Sequence, residues 1–224
     1  VANSGLLELY LSDTRVTDTG LGILDTMPAL EALGLGRALV TAPSLVRIAK
    51  LSALRTLVLS GTRAPAESLA LLGNLHALER LYLDQTLADS SVIAALDARN
   101  LRVLHLADTH VDDDALPALR TFALLGELTI GDSAVHAEIA DLSAWPRLHT
   151  LSAVGLELGD AQLPLIARAR RLERLDLSST DVTDPAPLAA LPNLKELGLG
   201  DTRLTRQGAS SADALAKRGV VVVR

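Results

Sequence analysis

Two histidines and four aspartates crowd the stretch from His105 to Asp114: His105, Asp108, His110, Asp112, Asp113 and Asp114. Imidazole and carboxylate are ligand types that suit a divalent metal, so metal binding is the first chemistry this spacing invites. Upstream, Arg80, Tyr82 and Asp84 lie close together, and arginine and tyrosine are residue types that concentrate binding energy at protein interfaces. Asp108 and Asp132 offer two carboxylates for acid and base work. Leu33 to Arg37, LGLGR, suggests a phosphate-binding turn. Arg168, Arg170, Arg171 and Arg174 form a basic cluster of the kind that meets nucleic acid. What each group can do depends on which side chains the fold brings to one surface.

That surface is set by an internal repeat. The motif L-x-x-L-x-L begins at Leu6, Leu30, Leu54, Leu78, Leu101, Leu125, Leu148, Leu172 and Leu194, at intervals of 22 to 24 residues. Its second column is Leu9, Leu33, Leu57, Leu81, Leu104, Leu128, Leu151, Leu175 and Leu197, and its third is leucine except at Ile130 and Ala153. Side chains alternate along a strand, so L-x-L turns two leucines inward and shows the residues between them outward. Three residues past the third column stands Thr14, Thr62, Thr86, Thr109, Ser133, Thr180 or Thr202. The chain must turn there with backbone groups to satisfy, and each hydroxyl is expected to bond the backbone of its own or the neighbouring turn. Position thirteen is Asp18, Ser90, Asp113, Asp160 or Asp184, expected caps of short helices, with Pro185 suited to a first helical position. Apolar residues then recur at threefold spacing, as in Leu21, Leu24 and Met27 or Ile139, Leu142 and Trp145.

With these columns in view, nearly the whole chain resembles a leucine-rich repeat protein. Its T-x-V-T-D tails, Thr14 to Asp18 and Thr180 to Asp184, resemble a variant common in bacterial proteins. The resemblance implies recognition and names no ligand. The repeats predict an α/β fold, a right-handed horseshoe solenoid with parallel strands on the concave face and short helices on the convex face. One domain over residues 1–224 is expected, nine repeats and a terminal strand. Ten strands about 4.8 Å apart make an arc of about 43 Å, long enough to hold a protein domain or a peptide.

On this frame positions three and five of each unit face the concave side. Tyr10, Arg80, Tyr82, His105, Arg174 and Asp176 occupy them, and Arg80, Tyr82, Asp84, His105 and Asp108 make the best candidate patch for a partner. The competing reading is that an exposed strand face must carry something polar. His110 lies beyond the turn and Asp113 is an expected cap, so a solvated turn is the plainer reading and no metal is expected. Gly34 and Gly36, like Gly198 and Gly200, sit in strand slots with no helix opening behind them, which makes a bare patch of sheet and no nucleotide fingerprint. No cofactor is expected. Serines and histidines share no column that would make a triad, and no enzyme is expected within this segment. The arginine cluster beside Glu173 and Asp176 reads as a solvated edge, because the net charge is -6 and no aromatic residues interleave to stack bases. Met27, Phe122 and Trp145 share a column with Leu51 and Leu75 and read as core. Repeat seven breaks the pattern, with Ala153 for the third leucine and Leu156 in the threonine slot.

Hydrophobic residues make up 49% of the chain and aromatic residues 2%, so the core is leucine and alanine, each buried leucine contributing roughly 1.5–3 kcal/mol. No cysteine occurs, which excludes disulfides and points to the cytoplasm. The longest apolar run is far short of the ~18 residues of a membrane span. The sequence begins at Val1 and enters its first strand within a few residues, so we expect a longer parent chain. Val220–Val223, read with Val221 and Val223 inward, would leave an apolar edge that invites end-to-end contact or a further domain. The expected function is a protein–protein recognition module binding a protein or peptide on its concave face. Two alternatives are a regulatory or sensor arm of a larger enzyme, such as a protease, ligase or bacterial defence effector, contacted in cis, and a secreted bacterial effector engaging a host protein.

Overall fold

Every repeat contributes one strand of three residues, because L-x-L supplies only two inward anchors before the chain turns. A computed structural model describes residues 5–224, and Val1–Ser4, ahead of the first strand, lie outside the described residues. The strands are β1 (Glu8–Tyr10), β2 (Ala32–Gly34), β3 (Thr56–Val58), β4 (Arg80–Tyr82), β5 (Val103–His105), β6 (Glu127–Thr129), β7 (Thr150–Ser152), β8 (Arg174–Asp176), β9 (Glu196–Gly198) and β10 (Val221–Val223). They pair in sequence order into one open parallel sheet. The register sets leucine beside leucine, as in Leu57, Leu81, Leu104 and Leu128. The middle leucines of β2 to β9 are all buried.

Two devices make the turn after each strand. All seven hydroxyls of the threonine column donate to the carbonyl three residues back, at 2.6–2.7 Å, as expected. Position eight takes a left-handed backbone in all nine repeats: Asp13, Arg37, Gly61, Gln85, Asp108, Asp132, Gly155, Ser179 and Asp201. Aspartate is among the few side chains that tolerate that region, which accounts for four of the nine.

The return limbs are short, since a repeat of this length leaves few residues for them. Six contain α-helix: α1 (Ala42–Ile48), α2 (Ala66–Leu69), α3 (Ser90–Ala95), α4 (Leu116–Leu119), α5 (Leu163–Ile166) and α6 (Arg206–Lys217). Others are tighter 3-10 turns, such as Gly20–Thr26, Leu142–Ala144 and Ala186–Ala190. The expected caps are corrected here. Asp184 does accept from the Ala186 N–H in its own limb, but Asp160 accepts from the Thr183 N–H at 2.8 Å, the Thr183 hydroxyl and the Asp184 N–H, all one repeat on. Asp18 binds Thr41 and Ser44 in the same way, and Asp113 takes the His136 N–H at 2.9 Å. Ser90 accepts the Asp112 N–H. Successive limbs start side by side, shown by the isolated parallel bridges Asp89–His110 and Gly159–Asp181. Position thirteen therefore faces the next repeat, while Asp89 and Asp112, one residue earlier, cap their own limbs.

Met27, Phe122 and Trp145 are core, as expected. Ala153 and Leu156 are buried too, so the irregular seventh repeat still closes its packing. The tenth strand is a second correction. Val222 pairs with Leu197, and Val220 is 6% exposed, while Val221 and Val223 stand outward at 62% and 51%. Leu197 to Val222 spans 25 residues, longer than any earlier repeat, because the twelve-residue α6 lengthens the limb. A slip of one residue exchanges the two faces of a strand.

Candidate functional site

The three neighbouring strands β4, β5 and β6 carry the most connected polar cluster on the concave face. Alternation puts Tyr82, His105 and Glu127 outward, and the parallel register sets Tyr82 beside His105. Their rings meet edge to face, with centroids 4.6 Å apart and planes at 65°. His105 Nε2 lies 2.8 Å from Glu127 Oε1, and Nδ1 lies 3.5 Å from Asp84 Oδ2. Asp84 also accepts from the Ala107 N–H at 3.0 Å and from the Ser60 hydroxyl at 3.3 Å. The imidazole is thus held between two carboxylates, each anchored to a different strand or turn.

The electrostatics follow from that placement. Partial burial works against charge on His105, but Asp84 and Glu127 outweigh it and raise the pKa above its ordinary value. Burial alone would lift the Asp84 carboxyl, yet His105, the Ala107 N–H and Ser60 hold it below its ordinary value. Tyr82 is raised by burial and by the negative charge of Glu127. A carboxylate faces each ring nitrogen of His105, so neither nitrogen is free of an acidic neighbour. Arg80 is exposed beside Tyr82, and among the described residues it has no carboxylate partner.

The other candidates lie elsewhere. Tyr10, on β1, lays its ring over Gly34: a Cβ there would stand 2.8 Å from the ring. On β8, Asp176 accepts from the Ser178 N–H and hydroxyl and crowds Gly198 on β9, where a Cβ would collide with its carboxylate. Both glycines are therefore places where a neighbouring side chain of the chain itself approaches the backbone. Arg174 Nε lies 3.4 Å from Glu196 Oε2, and these residues with Val223 line a shallow cavity of about 310 Å³. Asp108 stands apart from His105, as the left-handed residue of its turn. His110 is exposed beyond that turn, and Asp112 and Asp113 are engaged by Ser90 and His136. Among the described residues no group of three or more histidines and carboxylates has the geometry to hold a metal ion.

Glu127 takes position three of its repeat, an outward slot, but its bond to His105 is not legible from the column alone, since it joins position five of one repeat to position three of the next. Diagonal neighbours of this kind lie within reach of long side chains, and that offset is the signal that would find such pairs.

Strand order, register and leucine columns together define a leucine-rich repeat solenoid, the fold of the leucine-rich repeat proteins that the chain is similar to. No family model and no curated relative matches it. Among solved structures it is similar to an internalin C2 from Listeria monocytogenes, with 25% identity over 86% of this chain and 80% of that one and a TM-score of 0.70. A leucine-rich repeat protein of Leptospira interrogans gives 19% identity and a TM-score of 0.71, covering 99% of this chain and 61% of that one. The plant peptide hormone receptor RGFR1, in complex with RGF2, gives 20% identity and a TM-score of 0.60, covering 90% of this chain and 33% of the receptor. Among the described residues no helix is long and apolar enough to cross a membrane.

Proposed function

We propose that the concave face is a recognition surface for a protein or peptide, centred on Arg80, Tyr82, Asp84, His105 and Glu127. The observation that carries this reading is the cluster itself: a half-buried imidazole fixed between two carboxylates, with an aromatic ring against its edge and an unpaired guanidinium alongside. Such a surface is pre-organised, so a partner ordering against it loses little further entropy from this side. Tyr82 and Arg80 supply the contact area and charge that anchor interfaces. The likeness to a receptor solved with its peptide hormone supports the same reading. The absence of cysteine suits a reducing cytoplasm, a placement that cell fractionation checks.

The test is affinity capture from source-cell lysate, with the native protein and an Arg80→Glu, Tyr82→Ala double variant side by side. The expected result is a partner held by the first and lost by the second, with thermal unfolding unchanged within about 0.5 kcal/mol, as for surface substitutions generally. Equal capture by both removes this patch from consideration.

A further inference from the structure

On the convex side, the limb of repeat six and α5 leave a groove of about 430 Å³ between them. Pro146 and Leu165 line it above the buried Trp145, together with Arg168, Arg170 and Arg171, whose side chains are exposed. A second depression of about 390 Å³ adjoins it, lined by Pro164, Pro187 and Ala190, and shares Arg168 and Arg170 with the first. Two hollows, the first as much polar as apolar and the second edged by proline and alanine, thus flank one pair of guanidinium groups.

The acids that the sequence sets beside this cluster are engaged elsewhere. Glu173 pairs with Lys195 at 2.7 Å, Asp176 holds Ser178, and Glu196 takes Arg174 on the concave face. The one carboxylate lining the groove is Asp141, which accepts from the Ser143 N–H. Among the described residues none of Arg168, Arg170 and Arg171 makes an ion pair, so three cations face one anion in a chain of net charge -6. Such a local excess is complementary to carboxylates, and guanidinium binds them in a bidentate fork.

We propose that this groove docks an extended acidic peptide segment of a partner protein, with apolar side chains on either side of a short run of glutamate or aspartate. The acids meet Arg168 and Arg170, and the flanking apolar side chains fill the two hollows. Nucleic acid fits less well. The one tryptophan of the chain is 2% exposed, with its Nε1–H donated to the Leu119 carbonyl at 2.9 Å, so it offers no face for a base to stack on. The surface is separate from the concave patch, and the two stand or fall independently.

The test uses the full chain and a fluorescein-labelled nonapeptide pool with leucine, isoleucine or phenylalanine at positions three and seven and glutamate or aspartate between them. Anisotropy should report saturable binding that weakens with salt. Arg168→Glu with Arg170→Glu should weaken binding at least tenfold, and Arg168→Gln with Arg170→Gln repeats the test if charge reversal disturbs folding. The Arg80→Glu, Tyr82→Ala variant should bind the pool as the native chain does. The proposal is overturned by no binding of the pool, by equal binding of a pool with glutamine for the acids, by unchanged affinity in both arginine variants, or by an oligonucleotide that outcompetes the pool.

Discussion

Asp84 and Asp160 do the same thing to the backbone and differ in what they leave over. Each carboxylate reaches into the next repeat and accepts a main-chain N–H there, from Ala107 at 3.0 Å and from Thr183 at 2.8 Å. On the convex edge Asp160 spends its remaining acceptors on the Thr183 hydroxyl and the Asp184 N–H. On the concave face Asp84 turns its second oxygen to His105 and Ser60. In a solenoid each repeat touches only its neighbours, so stability resides in such cross-repeat terms. Asp160 is a staple and nothing more, whereas Asp84 is a staple that also charges a surface.

The largest expected effect that separates them is on stability. Asp160→Ala removes three acceptor contacts and should cost about 1–2 kcal/mol, the range for a lost capping carboxylate, read as a lower urea midpoint with partner capture intact. Asp84→Asn keeps a carbonyl oxygen for the Ala107 N–H but turns a donor NH2 toward Ser60 and His105 in place of the second oxygen and drops the charge. It should reduce capture while costing less than about 1 kcal/mol, and a variant that unfolds like Asp160→Ala would erase the distinction.

Next in size is the hydroxyl column shared by both faces. Thr109→Val should destabilise by about 1 kcal/mol, since its hydroxyl donates to the Leu106 carbonyl from a buried position. An unchanged melting temperature would make that column decorative.

Smallest is the pH dependence, and its sign is fixed by the shifts. The folded pKa of His105 is raised above 6.5, so its contribution is complete below that value and is lost as pH rises through the folded pKa. Asp84, lowered from 3.8, contributes above that value and loses its share as pH falls through the lower folded pKa. Comparing unfolding of native and His105→Gln chains across neutral to mildly alkaline pH isolates the first effect: the native chain should lose more stability than the variant. Parallel curves would place His105 outside the coupled cluster.

Much of this molecule is legible in one dimension because a repeat converts sequence spacing directly into spatial neighbours. The leucine columns, the threonine braces and the core placement of Phe122 and Trp145 all follow from position within the unit. Legibility fails where two repeats meet at an offset. Asp18, Asp113 and Asp160 look like caps of their own limbs, and only the alignment of one limb start with the next turns them outward to the following repeat. Val221 and Val223 fall in the inward slots only for a last limb of the usual length, and α6 makes that limb longer.

The sequence by itself determined the solenoid, its strand order and its inward leucines, because burial of a strict apolar period admits one register. Only the tertiary structure decided that His105 sits between Asp84 and Glu127, that Asp176 and Tyr10 cover Gly198 and Gly34, and that Arg168 and Arg170 stand between two hollows with no ion-pair partner among the described residues. Those contacts depend on the reach and rotamers of long polar side chains, which the apolar period leaves free and which only neighbouring repeats in three dimensions fix.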